Sequence, residues 1–286
     1  MIATAIAKAS TRVSTIKVYT QIMGEKPRKP RIVLLETDVA EAPFLDCVSS
    51  IGASRGHAVS RLVVASDALA AGDRAVEELL DRVRVQGGTD DHDGQPILVG
   101  LGLGANLALW MSALDRSVPV HKSYGRQTVI FPGQLERAPA LGGVVAVGPF
   151  LGFDFSLSMG TRAGSEAWLQ WRLDRCRGSG WVARLLGAFR VPRPSEHGLA
   201  FEPPIHWRQL SRVLPFASVA KLLPSLKTPT ALMLAQGASG GRASVLLCAL
   251  NGRVMVMDSP RDGLALGHAT LEAIDQLVEG AAGIDG

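Results

Sequence analysis

The clearest chemical signature in this sequence is a glycine-rich turn between an apolar run and a helical stretch. It reads Gly100-Leu101-Gly102-Leu103-Gly104. Glycines let the backbone bend tightly there, and the free N–H groups at the start of a helix can hold a phosphate or another anion. A dinucleotide-binding fingerprint is one interpretation. However, the spacing is GxGxG without the third glycine of GxGxxG, and the turn follows the third predicted strand instead of the first.

Two side chains are candidates for acid–base chemistry. Glu36 ends an apolar run, at what would be the carboxyl edge of a sheet, where open α/β folds bind ligands. His268 lies before the last predicted helix. Because imidazole titrates near neutrality, His268 could act as a general base or a hydrogen-bond donor at a pocket mouth, or it could be only a loop residue. Nearby, Asp38 is expected to cap a helix together with Glu41.

Other polar residues are weaker candidates. The run 90–93 places three aspartates around a histidine, but it precedes a strand and therefore lies at the opposite sheet edge from the turn. A solvated turn explains it better than a metal site. Glu202, His206 and Trp207 could touch a ligand or could only seal one part of the chain on another.

Short apolar runs alternate with amphipathic stretches, which predicts a doubly wound, mostly parallel α/β sheet. Strands are expected at 31–36, 59–65, 96–100, 143–147, 230–234 and 253–257. Helices are expected at 41–55, 67–85, 103–114 and 269–278.

The alternation of strands and helices stops between residues 150 and 227. This stretch holds four of the five tryptophans and is predicted to be a mostly helical cap inserted between core segments 1–149 and 228–286. Trp168 and Trp171 are three residues apart and share a helix face, which is typical of packing. Together with Trp207, they could also bind a large, partly apolar ligand such as a peptide.

Apart from its centre, the glycine turn resembles the nucleophile elbow, G-x-S-x-G, of the α/β-hydrolase superfamily. The resemblance covers roughly residue 31 to the C-terminus. It implies that 228–234 is the strand before the triad acid, with Ser239 at the acid's position. It also implies that His268 is the catalytic histidine, because Leu264-Ala265-Leu266-Gly267-His268 resembles the family's histidine loop.

The chain departs from this family at three places. Gly102 stands where the nucleophilic serine should be, so an acyl-enzyme cannot form there. The loop around Ser239 has no carboxylate. Glu36-Thr37 replaces the usual His-Gly of the oxyanion hole, and a carboxylate there would repel a developing oxyanion. A conventional esterase or lipase is therefore disfavoured.

An elbow that keeps its glycines without its serine resembles the atypical α/β-hydrolase-fold proteins of peptide natural-product pathways, such as the bottromycin-type aspartate epimerase. This resemblance implies an epimerase or isomerase that moves a proton, with Glu36 and His268 as catalytic groups. Substrate would lie on Gly102, Leu103, Thr37 and the cap tryptophans. A non-catalytic pseudo-hydrolase that binds a peptide or small molecule, and a hydrolase with a relocated serine, are the alternatives.

Composition limits the remaining classes. The chain has 286 residues, a net charge of +4 and scattered basic residues, so no nucleic-acid partner is expected. No apolar window reaches the roughly 20 residues of a membrane span. Three widely separated cysteines predict neither a disulfide framework nor a zinc site, and a cytoplasmic location without metal or cofactor is expected.

Overall fold

The backbone forms a central sheet whose strands run mostly parallel. The computed structural model describes residues 18–20, 29–37, 42–87, 95–115, 123–124, 127–128, 140–150, 162–191, 205–215, 219–223, 226, 228–235, 254–260 and 262–282. The described strands are β1 (Val18–Thr20), β2 (Ile32–Thr37), β3 (Val59–Val64), β4 (Ile97–Leu101), β5 (Ser123–Tyr124), β6 (Gln127–Thr128), β7 (Gly143–Val147), β8 (Thr230–Ala235) and β9 (Val254–Ser259). The described helices are α1 (Ala42–Ser54), α2 (Asp73–Gly87), α3 (Leu103–Asp115), α4 (Arg162–Arg177), α5 (Trp181–Ala188), α6 (Trp207–Val213) and α7 (Gly263–Ala282).

The order of strands in the sheet is β1-β3-β2-β4-β7-β8-β9, and every neighbouring pair is parallel except β1 with β3. The chain moves outward from β2 to β3 and then returns to continue from β4 in the other direction. The direction of winding therefore reverses between β2 and β4, and open α/β sheets bind ligands outside the carboxyl ends of strands at such a point. The predicted doubly wound sheet is confirmed.

Two apolar cores cover the two faces of the sheet. Alternate residues of β2 enter different cores: Leu34 packs with α1 and α7, whereas Leu35 packs with α2, α3 and the helices of the 150–227 region. This alternation follows from the two-residue period of a strand, which sends successive side chains to opposite faces. The same rule decides below where Glu36 and Thr37 point.

Most predicted elements are found within one or two residues of their expected bounds, with two exceptions. The helix predicted over 67–85 is divided, because a 3-10 helix (Ser66–Ala71) ends at Gly72, whose φ is 62°, before α2 begins. The last helix begins at Gly263 and not near Ala269. Its start is fixed by Asp262, whose Oδ2 accepts a hydrogen bond from the N–H of Ala265 at 2.9 Å.

Three helices occupy the described part of the 150–227 region. α4 and α5 pack together, and both pack on α6. α6 in turn contacts α3 and the 3-10 helix that follows β3. The helical character predicted for this insertion agrees with these elements, and the exact division of the chain into core and cap stays a prediction.

The amino edge of the sheet is held by buried polar groups. Asp115, at the end of α3, accepts hydrogen bonds from the N–H groups of Ala140 at 2.7 Å and Leu141 at 3.0 Å, and from Arg84 at 3.3 Å. A buried carboxylate with several donors is stable, whereas the same group without them would cost several kcal/mol. This carboxylate therefore fixes the entry into β7.

His57 is a second buried polar group at this edge. Its Nδ1 lies 3.0 Å from the carbonyl oxygen of Pro30, and its Nε2 lies 3.9 Å from Oδ1 of Asp275 on α7. Burial lowers the pKa of His57. The carbonyl of Pro30 and the carboxylate of Asp275 act in the opposite direction, whereas Lys29 and Arg55 also lower it.

We predict that His57 makes the protein less stable at mildly acidic pH. Because the folded-state pKa is lowered, the unfolded chain binds a proton more readily, so stability is lost as the pH falls below the unfolded value of about 6.5. Urea unfolding between pH 7.5 and 5 should show a smaller loss for His57→Gln than for wild type. His268→Gln, at an exposed histidine, is the matched control. Identical profiles for wild type and His57→Gln would contradict this account.

Candidate functional site

The turn between β4 and α3 has the geometry of an elbow. Gly102, at its centre, has a φ of 55°, in the left-handed region that side chains with a Cβ adopt at a cost of roughly 1–2 kcal/mol. The N–H of Gly102 donates to the carbonyl of Val147 at 2.9 Å, and the N–H of Asn106 donates to the carbonyl of Gly102 at 3.2 Å. The turn is thus tied both to the neighbouring strand β7 and to its own helix.

The outer glycines of the turn permit a very close approach of helix to strand. A Cβ built on Gly100 would lie 2.2 Å from the carbonyl oxygen of Gly104 and 2.6 Å from the nitrogen of Ala105. No side chain fits at such distances, because the obstructing atoms are backbone. Glycine at position 100 is therefore required by packing, and glycine at position 102 is compatible with the backbone conformation of the turn.

Asn106 fastens the elbow helix to the loop that leaves β7. This side chain is fully buried, and its Nδ2 donates to the carbonyl of Phe150 at 3.0 Å while its Oδ1 accepts from the N–H of Phe150 at 2.9 Å. No sequence motif singles out Asn106. The available signal was a single amide among the apolar residues of α3, since a buried amide needs partners for both its donor and its acceptor.

The elbow carries no nucleophilic side chain at its centre. Gly102 and Leu103 are buried, and the first N–H groups of α3 have no helical acceptor four residues before them. They can donate to an anion or a carbonyl oxygen above the sheet edge. Cys47 does not replace the missing nucleophile, because burial and the nearby carboxylate of Asp262 raise the pKa of its thiol and disfavour the thiolate.

Glu36 and Thr37 lie on β2, beside the elbow strand. Leu35 pairs with Gly100, so the ends of β2 and β4 are adjacent and the structure brings these predicted site residues together. Their side chains point to opposite faces: Glu36 shares the face of Leu34 and α1, whereas Thr37 is buried on the face that α3 covers. Only Thr37 is therefore on the same side of the sheet as the elbow helix.

An ion pair explains the presence of a carboxylate at position 36. Oε2 of Glu36 lies 3.9 Å from Nη1 of Arg61 on β3, and the same guanidinium donates to Asp46 on α1. The Glu36 side chain is 26% exposed. Arg61 therefore joins two carboxylates on the α1 side of the sheet.

His268 lies in the second turn of α7, not in a loop before the last helix as predicted. It is exposed, whereas Leu266, Gly267 and Thr270 are buried against the protein. The segment between β9 and α7, where the resemblance would place a histidine, contains Pro260 and the helix-capping Asp262. The letters LALGH resemble the histidine loop, but Asp262 before them caps a helix that already includes all five residues.

The three tryptophans predicted to bind substrate have different environments. Trp207 is 3% exposed and belongs to the core, with Trp168 packed edge-on at a ring-centroid distance of 5.9 Å. Trp168 is 41% exposed and Trp171 48% exposed. Trp171 is covered in part by the guanidinium of Arg175, 5.5 Å from its ring centroid. Trp168 and Trp171 thus present a surface, and Trp207 supports it.

Several residues named by the sequence analysis lie outside the described residues. They are Asp38, Glu41, the run 90–93, Glu202 and Ser239. Within the described ranges, no group of three or more His, Cys, Asp or Glu side chains is arranged to hold a metal ion. No described helix combines the length and the apolar character needed to cross a membrane.

We predict that Gly100→Ala is severely destabilising, because the new methyl group would overlap the backbone of Gly104. The expected loss in the free energy of unfolding is at least about 3 kcal/mol, at the upper end for overpacked cores. Gly263→Ala is the matched control, since nothing lies within 4 Å of a Cβ at that position. It should be neutral or slightly stabilising in the first turn of α7. Equal urea midpoints for the two variants would refute the close packing of the elbow.

Comparison with known proteins identifies the fold. No protein-family model matches the chain, and no curated protein matches it. Among solved structures, it is similar to Est1E from Butyrivibrio proteoclasticus, with a TM-score of 0.52, 10% identity and coverage of 93% of this chain and 95% of that one. It is also similar to a lipase in its open form, with a TM-score of 0.51, 14% identity and coverage of 92% and 94%.

A third similar structure is an inhibited esterase B from Lactobacillus rhamnosis, with a TM-score of 0.51, 12% identity and coverage of 94% of this chain and 83% of that one. At such identities a likeness establishes the fold and not the activity. The strand order, the left-handed residue at the elbow and these likenesses agree, and the chain has the α/β-hydrolase fold.

Proposed function

We propose that this protein binds a peptide or peptide-like small molecule at the carboxyl edge of its sheet and does so without forming an acyl-enzyme. The observation that carries this proposal is Gly102. The residue occupies the centre of an intact elbow, with a φ of 55° and hydrogen bonds to β7 and α3, yet it has no side chain with which to attack a carbonyl.

The elbow keeps the features that serve binding. The N–H groups at the start of α3 remain available above the sheet edge, and the helix dipole adds partial positive charge at the same point. Thr37 lies on the adjacent strand end and on the same side of the sheet. A carboxylate or carbonyl oxygen of a ligand could therefore be held there by backbone donors.

The environments of the two predicted catalytic side chains favour binding over chemistry. Glu36 is engaged by Arg61 on the face opposite to α3. His268 is exposed on α7, with Leu266 and Thr270 facing the core in its place. A general base must come within hydrogen-bond reach of the proton that it removes, and neither group is held beside the elbow by a described partner.

The helices of the 150–227 region support a peptide as the ligand. Exposed aromatic residues are concentrated on α4 and α5, with Trp171 48% exposed and Trp181 76% exposed. Arg175 stacks on Trp171. Rigid aromatic rings next to arginine are typical of surfaces that bind polypeptides, because they offer a large contact area at a low cost in side-chain entropy.

We predict that peptides enriched from a random displayed library will bind wild type and will depend on the elbow. Gly102→Leu should weaken binding about tenfold or more, which corresponds to about 1.4 kcal/mol, because a side chain there would occupy the space above the strand ends. Fluorescence anisotropy with labelled peptides measures the affinities, and circular dichroism verifies that the variant is folded.

Two control variants should retain the wild-type affinity. Gly263→Ala lies away from the elbow, and His268→Ala removes an exposed imidazole. Peptides that bind wild type and Gly102→Leu equally well would locate the ligand elsewhere and contradict the proposal.

A peptide epimerase acting by proton transfer is the second candidate. The observation that favours it is the position of Glu36, an ionisable carboxylate that is 26% exposed at the end of the strand beside the elbow. In such a reaction a base removes a Cα proton, and reprotonation from the other face inverts the centre. The same selected peptides, incubated with the protein in D₂O and analysed by mass spectrometry, distinguish the two candidates.

Binding without turnover leaves the peptides free of deuterium at Cα, whereas an epimerase incorporates it. If deuterium is found, Glu36→Gln should abolish its incorporation. Asp46→Asn removes the other carboxylate partner of Arg61 and is the matched control, because Asp46 lies on α1 and not at the strand end. Loss of deuterium exchange in both variants would show that the exchange depends on Arg61 and not on Glu36 as the base.

A further inference from the structure

Arg212 on α6 is a buried cation for which the described residues provide no hydrogen-bond acceptor. The residue is only 8% exposed. Its Nε is fully enclosed and has no hydrogen-bond partner among the described residues. Its guanidinium forms no ion pair or hydrogen bond with the described residues, whereas the neighbouring Arg208 and Arg177 both have partners. Buried polar groups are satisfied in the large majority of cases, so an orphaned guanidinium calls for a specific explanation.

The arginines near Arg212 are already engaged. Nη2 of Arg208, one helical turn earlier on α6, donates to Asp67 at 3.1 Å. Arg177 on α4 donates to the carbonyls of Ser211 at 2.9 Å and Leu214 at 2.6 Å, and to Asp174 at 2.9 Å. Arg177 therefore holds the end of α6 in place, which fixes the position of Arg212.

The nearby carboxylates do not neutralise Arg212 through contact. Asp67 and Asp174 are bound by Arg208 and Arg177, and Asp73 accepts a hydrogen bond from Nε1 of Trp110 at 3.0 Å. Burial lowers the pKa of Arg212, Arg208 lowers it further, and Asp67 opposes both. Among the described residues, no counter-ion contacts the Arg212 guanidinium.

We propose that Arg212, together with Arg208, forms a binding site for an oxyanion, the carboxylate or phosphate group of a ligand. A guanidinium presents parallel N–H donors that match either group, and such pairs are frequently bidentate. An anion bound there would provide the acceptor that Arg212 lacks among the described residues.

The site lies on the same side of the molecule as the carboxyl edge of the sheet. α6 packs against the 3-10 helix at Ser66–Ala71, which directly follows β3, and Arg208 bonds to Asp67 within that helix. The elbow follows β4, two strands away. The oxyanion site depends on the cap arginines alone, so it stands whether or not the elbow binds a peptide.

The test is thermal unfolding in inorganic phosphate and, separately, in sodium acetate, with ionic strength held constant by sodium chloride. At an anion concentration tenfold above its Kd, the wild-type Tm should rise by about 3 °C or more. A rise in phosphate alone identifies a phosphate site, and a rise in acetate alone or in both anions identifies carboxylate recognition. No rise in either anion overturns the proposal.

Substitutions at Arg212 and at a control arginine test whether Arg212 causes the rise in Tm. Arg212→Met should abolish the rise, whereas Arg175→Met, at an exposed arginine stacked on Trp171, should preserve it. In anion-free buffer Arg212→Met should have the wild-type Tm or a higher one, because no bond to a described residue is lost and a buried charge unpaired among those residues is removed. A fall of more than about 3 °C there, or an undiminished rise in phosphate, overturns the assignment.

Arg212→Lys is the second variant, and it keeps the positive charge while removing the planar fork. We expect it to fold and to show at most half of the wild-type rise in Tm, because an ammonium cannot make the bidentate contact. A full rise in Arg212→Lys would mean that charge alone attracts the anion and would overturn the bidentate site.

Discussion

The site depends on one close approach, that of strand β4 to the first turn of helix α3. The Cα of Gly100 faces the backbone of Gly104 so closely that a methyl group would overlap it at 2.2 Å. This contact places the start of α3 directly above the sheet, where its free N–H groups face the carboxyl edge. The bonds from Asn106 to Phe150 then fasten the same helix to the loop after β7. Thr37 lies beside this elbow because Leu35 of β2 pairs with Gly100 of β4.

The elbow has the strained backbone turn of a catalytic site but no nucleophilic side chain. In a serine hydrolase the strained turn presents a nucleophile, but here the same backbone presents Gly102 and only main-chain donors. The carboxylate on the neighbouring strand is bound by Arg61 on the other face of the sheet. The first N–H groups of α3 are hydrogen-bond donors at this edge. Exposed tryptophans and Arg175 lie on α4 and α5.

Strands and helices are easier to predict from the sequence than the hydrogen-bond and ion-pair partners of polar side chains. Strand β7 is found at its predicted residues, 143–147, because a buried strand is an uninterrupted apolar run and this signal is local. Glu36 was predicted as a site carboxylate because its partner, Arg61, comes from a different strand, and no local pattern indicates that pairing. His268 was displaced from its expected loop by the helix cap at Asp262. No sequence pattern indicates Arg212, since the burial of an arginine is decided by how α4 and α6 pack.

The elbow is intact but has no nucleophilic side chain at its centre, Gly102. Intact-mass spectrometry of the full-length protein after exposure to a fluorophosphonate probe tests this most directly, with an active serine esterase in the same reaction to show that the probe is reactive. The account predicts that the esterase gains the mass of the adduct and that this protein stays unlabelled. Stoichiometric labelling of the wild-type protein at one serine would contradict it, because the chain would then be a hydrolase with a relocated nucleophile.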